Sequence, residues 1–157
     1  MGTDYSNPFI VGIKHVFKTM CDIDLIDKDP IEKAHRQTTA DVTGVMSFTG
    51  DRRGTMSFST SASGALAIYA RLMHEEYRGI NTEIIDAVGE ITNIISGQAR
   101  KELEKEERLR LMAHVPMVFV GKGIEVHYVT KGAIVSIPFS FSAGGKTEEV
   151  SLDYVFE

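Results

Sequence analysis

Asp86-Ala-Val-Gly-Glu-Ile-Thr-Asn-Ile-Ile-Ser-Gly97 is the stretch around which the rest of the chain is organised. At a helical advance of about 100° per residue, Ile84, Ala87, Val88, Ile91 and Ile95 gather on one side. Asp86, Glu90, Asn93 and Gly97 fall within about 60° of one another on the other. A helix of this kind buries an aliphatic stripe against another layer and shows water a carboxylate, an amide and a glycine, one turn apart. Asparagine is a poor helix former, and an interior glycine costs up to about 1 kcal/mol against alanine. Gly97 stands beside Asn93 on the polar side, not in the aliphatic stripe. A gap there lets another molecule approach the amide.

Working outward, the helix is expected over Thr82 to about Glu106, with Asn81 as its cap. Its tail, Lys101 to Arg110, interleaves charges of both signs and reads as a solvated end stitched by close-spaced ion pairs. Upstream, Ser61 to Tyr77 predicts a helix with Ala65, Leu66, Ile68, Tyr69 and Leu72-Met73 buried, ended by Arg78-Gly79. Thr39–Phe48 and Thr55–Ser59 predict a hairpin around the turn signal Thr49-Gly-Asp-Arg-Arg-Gly54. Residues 8–20 form a first helix with Phe9, Ile13, Val16, Phe17 and Met20 on one face, Pro8 in the first turn, and Asn7 or Ser6 as cap. The acidic stretch 22–36 predicts a short strand and loop. Downstream, Val115–Val120, Ile124–Thr130, Ala133–Phe141 and Thr147–Phe156 predict strands. In the last of these Val150, Leu152, Tyr154 and Phe156 alternate with Glu149, Ser151 and Asp153, so one sheet face is buried and the other wet. Pro138 argues for an edge position or a bulge.

The expected architecture is therefore a single α+β domain over residues 1–157, in the order α-β-β-β-α-α-β-β-β. Helices pack on a mostly antiparallel sheet. Two halves emerge, each a helix followed by strands, although identity between them is too faint to establish a repeat. A net charge of −5 without a basic cluster argues against nucleic-acid binding. No apolar run is long enough to span a membrane. The single cysteine, Cys21, reads as a small buried hydrophobe and fits a reducing, cytoplasmic location. The five histidines share no helical metal-pair spacing and join no carboxylate cluster, so no metal site is expected. Neither a nucleophile elbow nor a phosphate loop occurs.

Asp86, Glu90, Asn93 and Pro116 stand at the spacing Asp/Ser, three residues, Glu, two residues, Asn, twenty-two residues, Pro. With its surrounding Gly89-Glu-Ile-Thr-Asn-Ile-Ile-Ser-Gly97, the chain resembles the CheC/CheX/FliY phosphatases of bacterial chemotaxis. The likeness extends through Asn7-Pro-Phe, the Gly54–Ser59 strand before an alanine-rich helix, and Val115-Pro-Met-Val. Members of the CheC type carry a second Glu/Asn motif on the first helix. Phe9–Met20 has none, which points to the CheX type, with one active site per chain.

The resemblance implies dephosphorylation of the aspartyl-phosphate of a CheY-type receiver, with Mg²⁺ supplied by that partner and no cofactor bound by this chain. Asn93 would hold the attacking water, as a glutamine does in GTPases. Glu90 would pair with the receiver's active-site lysine, a general-base role being the competing reading. Gly89 and Gly97 would leave room for the receiver. Asp86 would orient or cap, and Pro116 would shape the following strand. Homodimers formed through sheet edges are also implied. The alternative is a non-catalytic docking module that binds a receiver or a flagellar switch protein. An intact Glu90/Asn93 pair argues against it.

Overall fold

In the computed structural model, residues 4–34, 37–126 and 130–157 are described. The chain runs α1 (Ser6–Cys21), β1 (Ile26–Asp27), β2 (Ile31–Lys33), β3 (Val42–Gly50), β4 (Gly54–Thr60), α2 (Ala62–Met73), α3 (Thr82–Glu107), β5 (Leu111–Ala113), β6 (Met117–Val120), β7 (Ile134–Ala143) and β8 (Lys146–Phe156). This is the expected α+β order of one helix, a run of strands, two helices and a second run. The runs are longer than the sequence indicates because the edge segments are broken into short pieces.

All strand pairs are antiparallel, in the order β1-β7-β8-β4-β3-β5, with β2 also on β7 and β6 also on β3. The order is a palindrome about the central β4·β8 pair. Each half contributes a long helix, two short strands and two long strands, and the short strands of each half pair with the first long strand of the other. Both edges bulge at the same place. Lys28 N–H reaches the Pro138 carbonyl and Ile31 pairs with Ser136, so Asp29-Pro30 opposes Ile137 alone. His114 N–H reaches the Ser47 carbonyl and Met117 pairs with Val45, so Val115-Pro116 opposes Met46 alone. Pro138 sits one strand in from the edge. Its carbonyl, and hence its missing N–H, faces the end of short β1, where little pairing is lost.

The helices cover one face of the sheet. Phe9, Ile13, Phe17, Ile84, Ile91 and Ile95 are buried there against Phe48, Phe58, Phe139, Phe141, Leu152 and Tyr154. Burial of this aliphatic and aromatic surface is the main driving force for the layer. Two close approaches set the position of α3. A Cβ on Gly44 of β3 would collide with the Thr92 side chain, and one on Gly12 of α1 would lie 3.0 Å from the Ala99 backbone nitrogen. Without side chains at those two points, the helix seats directly on sheet and neighbour.

Several expectations are corrected. The first helix starts at Ser6, and Asp4 Oδ1, not Ser6 or Asn7, accepts the Ser6 N–H at 2.9 Å. Met20 and Met73 are exposed. α2 stops at Met73, four residues early, because His74 adopts a left-handed conformation (φ 57°). Asn81 does cap α3, its Oδ1 accepting from Ile84 N–H at 2.9 Å. The charged tail lacks the expected close-spaced ion pairs among the described residues: Glu104 bonds Arg110, beyond the helix end, at 3.3 Å. Residues 124–126 form no strand beyond an isolated bridge from Glu125 to Gln37, and 127–129 lie outside the described residues. The face opposite the helices is polar but not fully wet. Ser57, Ser59, Thr43 and Asp153 are buried on it, and Asp153 is paired with Lys33 at 3.0 Å.

Candidate active site

The buried side of α3 carries Ile84, Val88, Ile91, Thr92, Ile95, Ser96, Ala99 and Leu103. That burial fixes the rotation of the helix and turns Asp86, Glu90 and Asn93 to solvent. Glu90 and Asn93 are neighbours across one turn, with about 5–6 Å between Cβ atoms. Neither side chain has a hydrogen bond or ion pair among the described residues. Asp86 is likewise exposed and unpaired, and does not cap the helix, since Asn81 does. A cleft of about 470 Å³ lies elsewhere, lined by residues such as Asp4, Arg52 and Tyr154. Neither Glu90 nor Asn93 lines that cleft; both are exposed on the helix face, within reach of a macromolecular partner.

The glycines divide in role. Over Gly97 the surface is open: the nearest atom to an added Cβ would be an Arg100 guanidinium nitrogen at 3.9 Å. Gly89 is buried, and its missing side chain admits Val118 of β6, whose Cγ2 would be 3.2 Å from an added Cβ. Gly89 thus serves packing of the edge on the helix rather than an open docking face. Pro116 occupies the bulge beside that contact.

The sequence reading missed a second copy of the spacing. Asp4, Asn7 and Pro30 repeat the intervals of Glu90, Asn93 and Pro116, and Pro30 occupies the matching bulge on the opposite edge. The intervals are legible in the sequence, but Asp4 precedes α1, so this copy does not share one helix face as Glu90 and Asn93 do. In this copy the groups are engaged within the chain. Asn7 donates to Glu106 Oε2 at 3.3 Å, and Asp4 Oδ1 also accepts from the Tyr154 hydroxyl at 3.2 Å. The apolar face of the first helix, Phe9, Ile13, Val16 and Phe17, is buried in the core, as its sequence suggests.

Among the described residues no group of three or more His, Cys, Asp or Glu side chains could hold a metal ion. Cys21 is buried and burial pushes its thiol up to about 11, so it is no nucleophile at neutral pH. No helix among the described residues is long and apolar enough to cross a membrane.

Residues 42–140, which contain the whole of this face, match the family model of the chemotaxis phosphatase CheX. The chain belongs to the CheX family. No curated protein sequence matches it. Among solved structures, CheX from Vibrio vulnificus is 31% identical over 99% of this chain and 100% of its own, with a TM-score of 0.85. CheX from Desulfovibrio desulfuricans is 30% identical over the same shares, with a TM-score of 0.86. The CheX–CheY–BeF3–Mg²⁺ complex from Borrelia burgdorferi matches at 21% identity and a TM-score of 0.77 over 98% of each chain, a likeness of fold. Membership in the CheX family and the full-length match in fold agree with the architecture and with the resemblance carried by the α3 motif.

Proposed function

We propose that this chain hydrolyses the aspartyl-phosphate of a CheY-type receiver protein, using the exposed Glu90/Asn93 face of α3. The observation that carries the reading is a mid-helix asparagine and glutamate, unpaired and solvent-facing on a rigid helix, within the part of the chain that matches the CheX family model. The relative in complex with CheY, BeF3 and Mg²⁺ supports a receiver as the partner.

The chemistry asks little of the chain. Water attacks phosphorus, the bond to the aspartyl carboxylate oxygen breaks, the carboxylate leaves with its electron pair, and the water's protons stay with the phosphate, which departs as dihydrogen phosphate. Asn93 accepts a hydrogen bond from the water through its carbonyl and donates to a phosphoryl oxygen through its amide. It holds the water in line without changing protonation state. Glu90 pairs with a lysine of the receiver and fixes the register of docking. Asp86 borders this face, and the gap over Gly97 admits the partner's backbone. Mg²⁺ comes with the receiver and offsets charge on the phosphoryl group. The chain is further proposed to act in the cytoplasm as a homodimer joined through the β5–β6 edge. Among the described residues nothing pairs with the outer side of that edge, which carries exposed Met112, Val115, Met117 and Val120.

The test is release of labelled phosphate from a phosphorylated receiver with and without this protein. Acceleration that disappears in Asn93→Ala supports the reading. An unchanged receiver lifetime at saturating protein refutes it.

A further inference from the structure

Arg100 continues the polar side of α3. At about 100° per residue it falls within about 20° of Asn93 and lies beyond Gly97. Its side chain leans back along the helix, as helical side chains do. One terminal guanidinium nitrogen lies 3.9 Å from the point a Gly97 Cβ would occupy. Its Nε is buried and has no hydrogen-bond partner, and no ion pair to its guanidinium occurs among the described residues. The nearby acids are engaged elsewhere. Glu104, one turn on, bonds Arg110 at 3.3 Å, Glu102 accepts from Gln98 at 3.5 Å, and Glu106 accepts from Asn7 at 3.3 Å. A partly buried guanidinium without a counter-ion is costly unless it is satisfied at another time by another molecule.

We propose that Arg100 is a docking residue that pairs with a carboxylate on the surface of the partner receiver, across the gap at Gly97. The inference rests on the receiver-phosphatase reading and adds a third anchor to it. Position favours a carboxylate over the phosphoryl group. Arg100 is rooted about 10 Å along the helix axis from Asn93, and its reach back ends over Gly97, one turn short of the amide. A planar, five-donor guanidinium suits a carboxylate in a bidentate pair. The glycine keeps the guanidinium flat on the helix, where a longer side chain would lift it.

The experiment titrates a purified CheY-type receiver, held with beryllofluoride and Mg²⁺, against wild type, Arg100→Gln and Arg100→Lys, and measures steady-state turnover in parallel. Loss of a charge-assisted contact predicts roughly tenfold or more weaker binding for Arg100→Gln. KM should rise to match, kcat at saturating receiver should stay within about twofold, and affinity should depend less steeply on salt. Arg100→Lys should recover only part of the affinity. Thermal melting verifies the fold, and Gly97→Leu, which leaves the charge in place but displaces it, should weaken binding as well. Unchanged affinity and salt dependence in Arg100→Gln overturn the proposal. So does a fall in kcat at unchanged KM, which would put the guanidinium on the phosphoryl group. Wild type that binds the receiver without dephosphorylating it would refute the catalytic reading alone, leaving the Arg100 contact to stand or fall on the titration.

Discussion

In the proposed mechanism Asn93 positions the attacking water, and its place on an exposed helix face asks little of the fold. Its side chain bonds to nothing among the described residues, and alanine is the better helix former, so Asn93→Ala should melt at or slightly above the wild-type temperature. Receiver dephosphorylation by that variant should fall at least about hundredfold, the usual cost of removing one positioned amide from a transition state. A folded variant with near-normal turnover would remove Asn93 from the mechanism. Glu90→Gln keeps shape and loses charge. The lysine pairing predicts a raised KM and a flatter salt dependence, whereas a general base would show its loss in kcat across the pH profile. These residues were legible in the sequence because chemistry and helix periodicity coincide on one stripe. Arg100 was not, since in the sequence it is one more charge at the head of a charged tail. Only its unpartnered guanidinium sets it apart.

Elements carry a different class of prediction. All three helices end on a non-glycine residue in the left-handed region: Asp22 (φ 51°), His74 (φ 57°) and Arg108 (φ 55°). The sequence signal for a helix end is glycine, which is why Arg78-Gly79 drew the end of α2 too far downstream. His74→Gly should therefore stabilise the protein by roughly 0.5–1 kcal/mol, seen as a raised melting temperature. A lowered one would show that the His74 side chain contributes contacts of its own. At the start of α1, the Ser6 backbone N–H, then the Ser6 hydroxyl, holds the Asp4 carboxyl below its ordinary 3.8, with a smaller contribution from the Tyr154 hydroxyl and with burial opposing. A depressed carboxylate adds stability above its unfolded value and loses it as pH falls through the folded one. Asp4→Ala should thus cost about 1 kcal/mol at neutral pH, with the difference in denaturant midpoint shrinking in acid. Long helices and alternating strands were readable because burial imposes their periods. The short strands β1, β2 and β5 were not, since two or three residues hold no period and their pairing is decided by β7 and β3, far away in sequence. The buried polar face behind the sheet escaped for the same reason: alternation shows which residues share a face, not what crosses over it.

At the scale of the whole molecule, the open β5–β6 edge predicts assembly. Under the proposed assembly, light scattering at micromolar concentration should find wild type as a dimer and Met117→Lys, which places a charge on that edge, as a monomer. A wild-type monomer would remove the dimer and leave the catalytic face untouched. The palindromic strand order has a further consequence, in the time taken to fold. Strands β1 and β2 leave the ribosome early, yet the strand they pair with, β7, lies in the last two dozen residues, and β4 waits for β8. The first half can form its hairpin and helix but cannot complete its own edges. Docking of its helix layer therefore waits for nearly the whole chain. Such non-local pairing slows folding and leaves strand edges open meanwhile. A chain cut after Gly132, although it retains the entire Glu90/Asn93 helix, should emerge insoluble and inactive, because the strands that close the other half have been removed with the tail.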